Sequence, residues 1–128
     1  MLIFEFSGLQ TLAAHEQSLA DWNHYFSRNE RFVAVRIFHD EDSLVHPDGA
    51  AQLTKSWLRN GAAEAIKTSV VAMINIVPTS AYERMKHMSV EAVFGVPGGV
   101  FNSVDEAVGW FNSNVSATVG VYLKPDKW

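Results

Sequence analysis

The chain has 128 residues, no cysteine and a formal net charge of −4. That length makes a single domain with a sizeable core, and the missing cysteines exclude disulfides and thiolate metal sites. An acidic domain without a Lys/Arg stripe matches a phosphate backbone poorly, so nucleic acid is not expected as a partner. Met1-Leu2-Ile3-Phe4-Glu5 has no basic leader and meets a charge at once, which is not the pattern of a signal peptide. No apolar run reaches the roughly 18 residues of a membrane-spanning helix. The expectation is a cytoplasmic protein with no transmembrane segment.

Leu2, Phe4 and Phe6 alternate with Ile3 and Glu5, the pattern of a half-buried strand over 2–6. Ser7-Gly8 ends it. A helix follows over about 11–28, with Leu12, His15, Leu19, Trp22 and Phe26 on one stripe. Residues 31–38 read as a second strand, and His39 to Asp48 as a polar, acidic loop. Pro47 suits the first turn of a second helix, whose inward stripe is Ala50, Leu53, Thr54, Trp57, Leu58, Gly61 and Ala65. Residues 69–77 are apolar on both faces, as a central parallel strand should be. Ser80 and Glu83 have the spacing of a capping box for a third helix, which would bury Ala81, Met85 and Met88, with Ala92 as a further candidate. A short strand at 99–101 leads to a fourth helix with the same spacing at Ser103 and Glu106. Its inward stripe is Val104, Ala107, Val108 and Phe111. Trp22, Trp57, Val71, Ile74, Val108 and Phe111 are the expected core residues.

Alternating β and α elements predict an α/β domain with a mostly parallel four-stranded sheet and flanking helices. If strand order follows chain order, the crossover helices share one face and the other face needs a cover. The tail supplies a candidate. Val115, Ala117, Val119, Val121 and Leu123 alternate with Ser116, Thr118, Gly120 and Tyr122, which predicts an extra C-terminal strand. Residues 1–114 would then be the domain and 115–128 a strand-like extension. So apolar a strand must join its own sheet or pair across a homodimer through 115–123, and the dimer is slightly favoured.

The order of these segments resembles a SpoIIAA-like member of the STAS superfamily. The resemblance rests on Trp22 after Ser18-Leu19-Ala20-Asp21, on Phe32-Val33-Ala34-Val35, and on Pro47-Asp48-Gly49 opening a helix that ends Ser56-Trp57-Leu58-Arg59-Asn60. It extends through Ser69-Val70-Val71-Ala72, Val77-Pro78-Thr79-Ser80 and the closing run Val100 to Phe111, and covers about 2–113. It implies a β-α superhelix and a non-enzymatic regulatory or protein-interaction role, or binding of a small or lipid-like molecule. In such regulators a Ser at the start of a central helix is phosphorylated. Asp48 occupies the comparable place here.

The loop residues His39, Asp40, Glu41, Asp42, Ser43 and His46, with Asp48, form the candidate interaction surface, because loops carry function disproportionately. Their spacing matches no defined metal motif, so neither a metal nor a cofactor is expected. Asp48 is read as a helix-start carboxylate or, more sharply, as a standing phosphate mimic. Ser43, Ser69 and Ser80 sit in no nucleophile elbow, and Gly95, Gly98 and Gly99 form no dinucleotide fingerprint. No catalytic residue is assigned. His15 reads as a core or sheet-edge histidine, and Arg36, inside a strand, must be paired, with Asp40, Glu5 or Glu64 as possible partners, or must reach the rim. Trp57, Met73, Met85, Met88 and Phe111 form a candidate apolar pocket for the alternative role, a carrier or sensor of an apolar small molecule or lipid. The partner is thus an unidentified protein or a small apolar ligand.

Overall fold

A computed structural model describes residues 1–125 and 128. Strands β1 (Leu2–Phe6), β2 (Phe32–Phe38), β3 (Val70–Ile76) and β4 (Gly98–Phe101) form one sheet in that spatial order. Every pairing is parallel. The helices are α1 (Leu12–Ser27), α2 (Ala50–Trp57), α3 (Ala63–Ser69), α4 (Thr79–Met85), α5 (Val90–Phe94), α6 (Val104–Asn114) and α7 (Ser116–Val119). This is the expected α/β architecture, a parallel sheet flanked by helices. Among the described residues no helix is long and apolar enough to cross a membrane.

Chain-order strands with right-handed crossovers put the connecting helices on one face. The packing agrees. Trp22 of α1, Ile66 of α3 and Val90 of α5 meet Phe32, Ala34 and Met73 of the sheet. Because side chains alternate along a strand, Val33, Val35, Ala72 and Ile74 point to the opposite face. There α6 turns back under the sheet and seats Ala107, Val108 and Phe111 on them. Ser103 caps α6, its Oγ accepting from the Glu106 N–H at 3.2 Å.

The tail corrects the expectation of a strand. Residues 116–119 form one helical turn, closed by Gly120 at φ +73°. Val115, Val119 and Leu123 pack on the second face of the sheet, while Val121 is 51% exposed. The inward residues recur every fourth position, a spacing that a strict alternation also contains. The Asn112 side chain then holds Leu123 from both sides, donating to its carbonyl at 3.1 Å and accepting from its N–H at 2.9 Å. The sheet is therefore covered by its own chain, and the strand pairing proposed for a homodimer through 115–123 has no strand to use. Asp126 and Lys127 of the expected extension lie outside the described residues.

Two of the expected helices are each broken in two. The second stops at Asn60-Gly61, where Gly61 takes φ +125°, and a π-type turn over Leu58–Ala62 joins α2 to α3. That break moves burial from Gly61 and Ala65 to Ala62 and Ile66. The third stops at Met85, and Ser89 caps α5 by accepting from the Ala92 N–H. Met88 falls in the gap and is 42% exposed. Ser80 makes no cap; its hydroxyl donates to Glu41 Oε1 at 2.8 Å. Of the expected core, Trp22, Ile74, Val108 and Phe111 are buried, and Trp57 and Val71 are half-buried.

Candidate functional site

A cavity of about 110 Å³ lies between α1, α2 and the sheet, near the carboxyl ends of β1 and β2. Ligand sites of α/β sheets favour that edge. Helix α1 contributes Ala14, His15, Ser18, Leu19 and Trp22, a stripe at helical spacing. Thr54 and Trp57 of α2 face it, and Arg36, Phe38 and Met73 form the sheet side. Phe6, Ile66 and Phe94 complete the apolar wall, while Gln10, Ser43, His46 and Pro47 belong to loops that border it. The aromatic wall is packed ring against ring: Phe6 stacks on Phe38 with centroids 5.1 Å apart, and Trp22 lies 6.4 Å from Trp57. The Trp57 indole N–H donates to Asn23 Oδ1 at 2.8 Å, which fixes its ring.

Arg36 dominates the electrostatics of the cavity. Its side chain shares a face of β2 with Phe32 and Ala34, in register with Asn75 of β3. Nε donates to Asn75 Oδ1 at 2.7 Å, and Asn75 is itself 2% exposed. The guanidinium lies 5.4 Å from the Phe94 ring centroid and 5.9 Å from that of Phe38. Burial brings its pKa down to about 10, so the group stays charged at neutral pH. The carboxylates expected as partners are engaged elsewhere. Asp40 accepts from the Gly8 and Ser43 N–H groups, Glu5 pairs with His39 at 3.1 Å, and Glu64 pairs with Lys67 at 3.8 Å. Among the described residues no carboxylate reaches Arg36, and its two terminal nitrogens have no hydrogen-bond acceptor.

His15 faces the same cavity, with Nε2 2.8 Å from Thr54 Oγ1. Burial, then the nearby His46, lowers its pKa, while the Ala50 carbonyl and Glu16 oppose the shift. A histidine whose folded pKa lies below its unfolded value binds fewer protons when folded. Its contribution is complete above about pH 6.5 and is lost as pH falls through and below that value. Urea midpoints measured from about pH 7.5 down to about pH 5 should therefore fall more steeply for the intact chain than for His15→Asn. Parallel curves would remove His15 as the cause.

The expected interaction loop splits into three parts. Asp40 and Glu41 are internal pins: Asp40 ties the loop to Gly8, and Glu41 takes Arg84 and Ser80 of α4. The backbone N–H groups of Gly8 and Ser43 hold the Asp40 carboxyl below its usual pKa, and Arg84 does the same for Glu41. Ser43 and His46 turn to the cavity. Asp42 and Asp48 are exposed. Asp48 is not the cap of α2, because Gly49 holds that position at φ +89° with no side-chain bond. Asp48→Ala should accordingly change stability by no more than about 0.5 kcal/mol in a urea melt. A loss near 1 kcal/mol, the size of a true cap, would contradict this. Among the described residues no group of three His, Asp or Glu side chains is placed to hold a metal.

The expected apolar pocket is also redistributed. Trp57 and Met73 line the cavity. Phe111 lies across the sheet, Met85 packs against Val77 and Val100, and Met88 is exposed. The broken third helix explains the two methionines, and the return of α6 explains Phe111. Asn75 was overlooked, although a lone amide in the apolar run 69–77 is the one signal that a polar partner crosses there.

No family model, curated protein or solved structure matches this chain. The class that the fold and cavity define is an α/β domain with a cationic, aromatic-walled cleft at one edge of a four-stranded parallel sheet.

Proposed function

We propose that this chain is a non-enzymatic carrier or sensor of a small molecule with an apolar body, taken up in the cleft between α1, α2 and the sheet. One observation carries the reading: a chamber of about 110 Å³ bounded mostly by apolar and aromatic side chains, with a few polar groups, among them Arg36, His15 and Thr54, set in its walls. Concave, mostly apolar sites with a few placed polar groups are the usual form of small-molecule sites. A cavity of about 150 Å³ accepts a benzene ring, so this smaller chamber limits the enclosed body to one aromatic ring at most.

The other reading, a regulator acting through protein contacts, has less support. Two acidic residues of its proposed surface, Asp40 and Glu41, are spent on internal bonds. The likeness to SpoIIAA-like chains remains part of the proposal, and a parallel sheet in chain order is compatible with it. A binding role is preferred to catalysis because the hydroxyl–imidazole contact at the cleft, Thr54 with His15, has no carboxylate hydrogen-bonded behind the ring among the described residues.

Amide-resolved NMR titration with benzamide, benzyl alcohol and indole tests the proposal. At least one should move the signals of His15, Ser18, Thr54, Trp57 and Met73 and leave those of Ala107 and Phe111 in place. Shifts that are absent for all three probes, or confined to the α6 face, would overturn the proposal.

A further inference from the structure

We infer that the cleft selects a small monocarboxylic acid, whose carboxylate pairs with the terminal nitrogens of Arg36 while its apolar body rests on Trp22, Trp57 and Met73. The inference rests on the cleft being a ligand site and adds the charge and class of the ligand. Four observations support it.

The first is the missing counter-ion. A guanidinium taken partly out of water gains from a counter-ion, and the half-buried Arg36 has one neutral hydrogen-bond partner and two aromatic rings. The second is direction. Asn75 takes the Nε–H, leaving the N–H groups of the two terminal nitrogens without a protein acceptor among the described residues, on a side chain that lines the cavity. The third is preorganisation. Asn75 is buried and in register with Arg36, so the planar fork is already held in the position in which it can donate two parallel bonds to a carboxylate.

The fourth is charge balance. Among the described residues Arg36 is the only Lys or Arg lining the chamber, and the half-buried imidazole of His15 favours its neutral form, while His46 sits on the exposed rim. One cation balances one negative charge. A phosphate monoester would bring a second into an apolar wall. The chamber size sets the remaining limit, a body near that of one aromatic ring.

Calorimetric titration with benzoate, benzamide and phenyl phosphate at neutral pH tests the inference, on the intact chain, Arg36→Met and Arg36→Lys. Benzoate should bind the intact chain roughly tenfold or more tightly than benzamide, the ratio expected when a charge-assisted pair is added. Phenyl phosphate should bind more weakly than benzoate. In Arg36→Met the preference for benzoate should shrink to roughly twofold or less, with benzamide affinity kept. Arg36→Lys, which keeps the charge and loses the fork, should fall between. Should Arg36→Met not fold, the benzoate–benzamide ratio on the intact chain decides alone. Equal affinity for acid and amide, or a preference that survives in Arg36→Met, overturns the inference while leaving the cleft a ligand site. Tighter binding of phenyl phosphate overturns the single-charge assignment. Failure of both benzoate and benzamide to bind at millimolar concentration removes the ligand-site reading and this inference with it.

Discussion

Removal of residues 115–128 is expected to lower the melting temperature by at least about 10 °C and to make the shortened chain self-associate. Val115 and Leu123 are 4% and 9% exposed and lie against Val35, Ile74 and Phe111. Burying such side chains contributes about 1.5–3 kcal/mol each, and a domain of this size shifts by roughly 3–6 °C per kcal/mol. Asn112 also loses both of its bonds to Leu123. What remains is a strip of β2 and β3 open to water beside α6. An apolar patch of that kind seeks a second copy. Circular dichroism melts and light scattering on both lengths check this. A shortened chain with unchanged melting and unchanged mass would mean that the tail covers nothing.

The tail also shows where sequence reasoning stops. Strand and helix periods separate cleanly over long segments such as 12–27, where the stripe through His15, Leu19, Trp22 and Phe26 matches the observed helix. Over nine residues they do not, because 115, 119 and 123 belong to both a two-residue and a four-residue repeat. Strand limits were legible to within one residue, since each run is apolar and several of its ends fall at breakers such as Ser7-Gly8 and Pro78. Helix interruptions were less so. Gly61 was visible as a glycine, but nothing local said that its φ would be positive.

The site was legible in pieces. His15, Ser43, His46, Trp57 and Met73 were singled out for separate reasons, and Arg36 for its unsatisfied charge. That they share one cleft follows from register and helix placement, which are tertiary facts. Arg36 reaches Asn75 because Ala34 pairs with Met73 along the same ladder. A one-residue slip would turn the guanidinium toward Phe111 on the opposite face. A charge inside a strand must be paired or must reach the rim, and Arg36 does some of each: it is half-buried at the cavity, and in place of Asp40, Glu5 or Glu64 the protein supplies an amide and leaves the charge unbalanced.

That imbalance makes the Arg36–Asn75 pair the place where stability and function should separate. Asn75→Leu leaves the Nε–H without its acceptor next to a buried charge, and should cost about 1.5–3 kcal/mol. It also removes a weak 3.4 Å bond to the Gly99 carbonyl. Arg36→Met leaves Asn75 Oδ1 unsatisfied and should cost about 1–3 kcal/mol. The double variant should be more stable than the sum predicts, with a coupling of about 0.5–3 kcal/mol, because replacing both partners by apolar side chains removes the desolvation penalty together with the bond. Urea denaturation of the four chains gives the cycle directly. Strict additivity would mean that the two side chains act independently and that the register bond carries no weight. A double variant as stable as the intact chain would show that the charge contributes nothing net to folding. A guanidinium that the fold does not need, lining an aromatic chamber, is then explained by what enters the chamber.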